Sequence, residues 1–283
     1  MEKSKNKLEL RYEAYRTVIR GLTLMSDTFM RNVLKQRECA EYILQVIMKD
    51  KKLRITEAIV QKDYKNLQGR SAVLDCVAQD ENGRIFAVEV QQEREGASPK
   101  RARYYGGLLD MNLLNPGEAF EKLPETYVIF ITEEDCLGYG RPIYHMERII
   151  VEEGEVFLDQ AHIIYVNAGI QDDTELGRLM QDFHCKNADE MHSGILAERM
   201  RALKETQEGV GMMCREMEKI FEEGKEEGRE EGREEGREQG REEGVLEGKR
   251  ETACNLAQMG MPVERIAEAV KVSVEIVKEW LAA

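Results

Sequence analysis

The chain has 283 residues, of which 42% are hydrophobic, enough for one full-sized domain with a real core and something smaller beside it. Its basic start, from Met1 to Arg16, is followed by no apolar stretch, and nowhere does it hold the ~18 consecutive apolar residues a span needs, so the sequence predicts neither secretory leader nor membrane helix. The net charge of −14 argues against a protein that holds nucleic acid through bulk charge alone.

That average hides an asymmetry. Residues 1–70 hold 16 Lys and Arg against 9 Asp and Glu, so this part is basic (+7) while the remainder carries −21. A local excess of this kind can attract phosphate; it can equally be a set of solvated helix faces. Six cysteines, at positions 39, 76, 136, 185, 214 and 254, form no Cys-x-x-Cys pair and have no His at ligand spacing. They read as reduced thiols of a cytoplasmic protein and speak against zinc.

The first recognisable element runs from Ser26 to Met48. Phe29, Val33, Leu34, Ile43, Val46 and Ile47 recur at three- and four-residue spacing, which predicts one helix. Residues 72–78 and 84–91 are short and β-branched, and the turn-forming Gln79-Asp80-Glu81-Asn82-Gly83 joins them as a hairpin. Ser98 as N-cap and Pro99 at the first helical position open a helix that stops before Asn115-Pro116-Gly117. Residues 127–132 form an apolar run fit for a central strand, with further strands at 148–151 and 162–166. After Asp172-Asp173-Thr174 the pattern is helical to about 205. This order predicts an α/β domain with a mixed sheet over residues 1–205.

From 206 to 250 the chain is nearly pure Glu, Arg, Lys and Gly, with a glycine at every fourth position from Gly224 to Gly248. Glu226–Arg229 and Glu230–Arg233 pair favourably in a helix, whereas each four-residue spacing sets like against like. With so many glycines, a solvated helix or a flexible spacer is expected, and a chain ending near 205 is expected to fold. Residues 251–283 return to apolar periodicity in three short helical patterns with helix-turn-helix-like spacing, Ser273 capping the last. Residues 249–283 carry five basic and five acidic side chains. That balance is less basic than a DNA-reading helix usually is and leaves homo-oligomerisation open.

The hairpin holds the chemistry. A three-residue loop, Glu81-Asn82-Gly83, with the glycine left-handed, pairs Asp80 with Arg84. Counting back along both strands then sets Asp75 directly opposite Glu89, with Gln91 on the same face. Leu74, Val88 and Val90 are expected on the other face, in the core. Two carboxylates directly opposed repel each other, and a divalent cation such as Mg²⁺ relieves the repulsion. The same spacing is compatible with two carboxylates on an open, solvated sheet face, or with a register slipped by one that splits them across faces.

These residues resemble the PD-(D/E)XK signature, and among its branches the recombination-promoting nucleases, the PD-(D/E)XK nuclease family transposases. The likeness rests on Ser26-Asp27-Thr28-Phe29-Met30, on the hairpin from Asp75 to Gly83, on Glu89-Val90-Gln91, on Arg101-Ala102-Arg103-Tyr104-Tyr105, and on the Glu-Gly-Arg repeats with a short helical tail. The resemblance implies a restriction-endonuclease-like fold and metal-dependent hydrolysis of DNA, linked to recombination or mobile elements. It implies that Asp75, Glu89 and the carbonyl of Val90 bind Mg²⁺ and that Asp27 completes the acidic set. It also places Gln91 where other branches have a catalytic Lys, and lets Arg101 and Tyr105, one helical turn apart, contact the scissile phosphate or brace the site. Leu74 stands in place of the signature proline. The rival readings are a nucleic-acid- or partner-binding protein with a decayed site, and a nuclease acting on RNA.

Overall fold

Where one helix is predicted between Ser26 and Met48, the computed structural model, which describes residues 2–64 and 71–282, has two. They follow α1 (Glu2–Gly21) and are α2 (Asp27–Leu34) and α3 (Arg37–Ile47). The break has a physical cause. Phe29, Met30, Val33 and Leu34 are buried on α2, but one turn further the same stripe reaches Arg37 and Glu38. A straight continuation would drive those charges toward the core. Gln36 adopts an extended conformation, and the apolar stripe restarts in a new phase at Cys39, Ala40, Ile43 and Leu44.

The main sheet contains β1 (Ile55–Tyr64), β2 (Ala72–Asp80), β3 (Ile85–Gln91), β4 (Thr126–Thr132), β5 (Ile143–Met146) and β8 (Ala161–Asn167). Its order is β1-β2-β3-β4-β8-β5. The β1–β2, β2–β3 and β5–β8 pairs are antiparallel; β3–β4 and β4–β8 are parallel. Parallel neighbours need a crossover, and α4 (Pro99–Leu113) supplies the one between β3 and β4. The Ser98 hydroxyl accepts from the Arg101 amide at 3.3 Å, the cap expected from Ser98-Pro99. The strand expected at 148–151 shrinks to β6 (Ile149–Ile150), paired with β7 (Glu155–Val156) in a separate hairpin.

One sheet face, with Phe86, Val88, Val90, Ile129 and Ile164, packs against α2, α3, α5 (Glu175–His184) and α6 (Gly194–Lys204). The opposite face, with Val77, Ile85, Ala87, Val128 and Phe130, packs against Ala102, Tyr105, Leu108 and Leu109 of α4. Leu74 belongs to this second face and so does not share the face of Val88 and Val90 expected for it.

The first compact unit does not stop near 205. Met213 and Cys214, on the long helix α7 (Gln207–Gln258), are buried in its core, with Val210 and Met217 packed beside them. The division between the two units falls after Met217. The three- and four-residue spacing of 210, 213, 214 and 217 is an apolar stripe that the surrounding glutamates and glycines obscure. From Glu218 onward α7 carries the repeat as an exposed helix, and positions 224 to 248 of its glycine series have open space where a Cβ would stand. Within that second unit α8 (Val263–Val270) and α9 (Val274–Ala282) form a small core around Ala253, Ile266, Ala267, Val270 and Val277. No helix among the described residues is long and apolar enough to cross a membrane.

Candidate active site

The loop between β2 and β3 is held as its residues dictate. Gly83 has φ +82°, and its amide donates to the Asp80 carbonyl at 3.0 Å. The buried Asp80 carboxylate accepts from the amides of Asn82 (3.0 Å) and Arg84 (2.8 Å) and from Arg84 Nε (2.7 Å). That fixes the register, and the pairs run from Gln79–Ile85 to Cys76–Val88. The next pair in this register is Asp75 and Glu89.

There the sheet forks. Strand β2 stays paired with β1 as far as Ala72–Tyr64, and β3 stays paired with β4 as far as Gln91–Thr132, while the β2–β3 ladder ends at Cys76–Val88. Two carboxylates bridge the gap. The Asp75 amide donates to Glu89 Oε1 at 2.9 Å, and the Val90 amide donates to Asp75 Oδ2 at 3.2 Å. Side-chain oxygens thus satisfy two main-chain donors that a continuous ladder would have paired with carbonyls.

The electrostatics of the fork follow from its burial. The Glu89 side chain is 1% exposed and that of Asp75 17%. Burial pushes the Glu89 carboxyl up to about 8, and the neighbouring Asp75 charge adds to the rise. Burial also raises Asp75, against the pull of the Val90 N–H, Arg31 and Arg101. The two guanidinium groups stand off: Arg31 Nε is 3.9 Å from Asp75 Oδ1, and Arg101 Nη2 is 3.8 Å from Glu89 Oε2. Neither is a direct hydrogen bond. The pair therefore holds a proton more tightly than free carboxyl groups do.

The carboxylates line an open cleft of about 620 Å³, together with Asp27, Val90, Gln91 and Arg101. Gln91 lies over Gly96 so closely that a Cβ added there would stand 2.1 Å from Gln91 Oε1. Arg101 donates through Nη1 to the Gly96 carbonyl (2.9 Å) and through Nε to Tyr105 Oη (2.7 Å). Tyr105 is buried and Tyr104 exposed, so Tyr105 braces the arginine from behind. Asp27 reaches the cleft wall, but its carboxylate is held by Arg31, whose Nε donates to Oδ1 at 2.6 Å. Asp27 thus shares the cleft with the other two but is paired with Arg31, and among the described residues no group of three His, Cys, Asp or Glu side chains could hold a metal ion together.

Sequence reasoning misses two participants. Arg31 announces itself only as the four-residue partner of Asp27 on a helix. Gly96 gives no local signal, because what a Cβ there would meet is the end of a side chain from another element. What Asp75 and Glu89 offer to the cleft are carboxylate oxygens. Oxygen donors of this kind suit a hard divalent ion that keeps several waters.

A mixed six-stranded sheet flanked by helices is a restriction-endonuclease-like α/β fold, the class of the PD-(D/E)XK nucleases. Within that class, residues 39–226 match the model of the PD-(D/E)XK nuclease family transposase, and the chain belongs to this family. No curated protein and no solved structure gives a significant match. Membership supports a nuclease or transposase-related function, and PD-(D/E)XK nucleases generally use divalent metal ions.

Proposed function

We propose that the protein is a Mg²⁺-dependent DNA endonuclease that hydrolyses phosphodiester bonds, working in DNA recombination or on mobile elements. The observation that carries this reading is the pair of carboxylates, Asp75 and Glu89, edge to edge in the fork and open to a cleft. These two and the Val90 carbonyl would hold the cation, which when bound supplies an activated water and charge stabilisation at the phosphate. Gln91, positioned against Gly96, orients the attacking water through its amide. A neutral amide stabilises developing negative charge less than the Lys of other branches does. Arg101, braced by Tyr105 and the Gly96 carbonyl, presents a guanidinium to the phosphate. Asp27 keeps Arg31 beside Asp75, a supporting role in place of direct ligation. The basic N-terminal region draws the phosphate backbone in. The small helical core at the C-terminal end serves assembly of copies, and the free thiols suit a cytoplasmic setting.

The deciding experiment is nicking of supercoiled plasmid with and without Mg²⁺. Wild type should nick only with the ion, and Asp75→Ala should lose cleavage while keeping its circular dichroism spectrum. Equal nicking in chelator, or by the Asp75→Ala protein, would place the chemistry elsewhere. Preferential cutting of an RNA substrate would move the substrate class to RNA.

A further inference from the structure

In a regular strand, residues two apart share a face. Strand β1 breaks that rule: Val60 packs with the α2/α3 face, but Tyr64, four residues on, packs with the α4 face. Strand β2 breaks it too, since Cys76 belongs to the first face and Leu74 to the second. Both reversals fall at one place. Val60 pairs with Cys76 and Lys62 with Leu74, so Gln61 lies across from Asp75. Gln61 has φ +54°, the left-handed conformation that a non-glycine residue rarely adopts within a strand.

From this juxtaposition we infer that Gln61 is a positioning residue for Asp75. One left-handed residue in β1 reverses the facing of that strand, and β2, hydrogen-bonded to it on both sides, reverses with it. Asp75 is the residue at the point of reversal. Its carboxylate is released from the α4 face, where the alternation through Val77 would have put it. It turns into the fork, where Oδ2 meets the Val90 amide. The Gln61 side chain is exposed, so what this position contributes is its backbone. Residues held in sparsely populated backbone conformations cluster at functional sites. The inference rests on the proposed metal-binding role of Asp75 for its functional meaning, but its structural content does not need the metal.

The test uses the full chain and contrasts Gln61→Gly, which adopts the left-handed conformation freely, with Gln61→Val, which resists it. Because β1 is an edge strand and the side chain is exposed, both substitutions should leave the fold standing. Two readouts are taken: hydrogen exchange of the Val90 amide in metal-free protein, and Mn²⁺ affinity by titration calorimetry. Gln61→Gly should match wild type in both. Gln61→Val should lose Val90 protection and bind Mn²⁺ about 10- to 100-fold more weakly, the usual effect of disturbing a group that orients a ligand. Should Gln61→Val fail to fold, Gln61→Thr against Gln61→Asn gives the same contrast with smaller side chains. A valine variant with wild-type protection and affinity, or a glycine variant as impaired as valine, would overturn the inference. If wild type itself binds no Mn²⁺, the metal reading fails, and Val90 exchange still decides the role of Gln61.

Discussion

Replacing Glu89 by glutamine separates the cost of its charge from the shape of its side chain. In wild type the carboxyl is 1% exposed and pushed from about 4.5 up to about 8 by burial and by Asp75. A carboxyl raised on folding stabilises the protein fully below its unfolded value, and that contribution is lost as pH rises through the folded value. The sign is therefore opposite to that of an ordinary salt-bridged carboxylate, and the window is about pH 4.5 to 8. Each pH unit within it removes at most ~1.4 kcal/mol, so raising the pH from about 5 to 7 removes at most ~3 kcal/mol. In a domain of this size that equals roughly 5–10 °C in melting temperature. The substituted side chain keeps an acceptor for the Asp75 amide and cannot ionise. Metal-free Glu89→Gln should thus melt close to wild type near pH 5 and above it at pH 7 to 8, the gap widening with pH. Added Mg²⁺ should raise the melting temperature of wild type, since binding to the folded state alone stabilises it, and leave Glu89→Gln unmoved. The assay is thermal melting of both proteins in matched buffers with and without Mg²⁺. A variant less stable than wild type at pH 8, or one stabilised equally by Mg²⁺, would refute the reasoning.

Gly96→Ala should cut the nicking rate by of order 10- to 100-fold, the usual effect of a misplaced catalytic group, because its Cβ would stand 2.1 Å from Gln91 Oε1. Its melting temperature should barely change, since the flexible end of Gln91 can swing aside; an unchanged rate would detach Gln91 from catalysis. Gln91→Lys, which puts a cation beside the reacting phosphate, should keep or raise activity in the same plasmid assay. A chain ending at residue 205 loses Met213 and Cys214 from the core and should be destabilised by about 2–5 kcal/mol, the range for emptying a large buried site. One ending near 225 should melt with wild type, and equal melting of the two shortened chains would return the boundary to 205.

The hairpin that carries the candidate site was legible in the sequence because its information is local. Gly83 and the Asp80 carboxylate set the turn, the turn sets the register, and the register brings Asp75 level with Glu89. The helix at Ser98-Pro99 and the apolar β4 are legible for the same reason. The split of the predicted helix at Gln36 was nearly so, in the phase change between Leu34 and Cys39. Strand β1 was not, because its alternation is broken at Gln61, and period-two reasoning fails where the backbone itself reverses. Nor could the sequence foretell that β2 and β3 part at Asp75, since that depends on each strand being held by a different neighbour. Gly96 and Arg31 matter only because the fold brings them to Gln91 and Asp75. Asp27 illustrates the converse: the family resemblance implies a place for it in the acidic set, but in the fold its carboxylate pairs with the arginine one turn away on α2. Residue spacing along a strand or helix decides which groups can share a face. Which of them meet across elements, how deeply they are buried and what charge they then carry is decided by packing that no local stretch encodes.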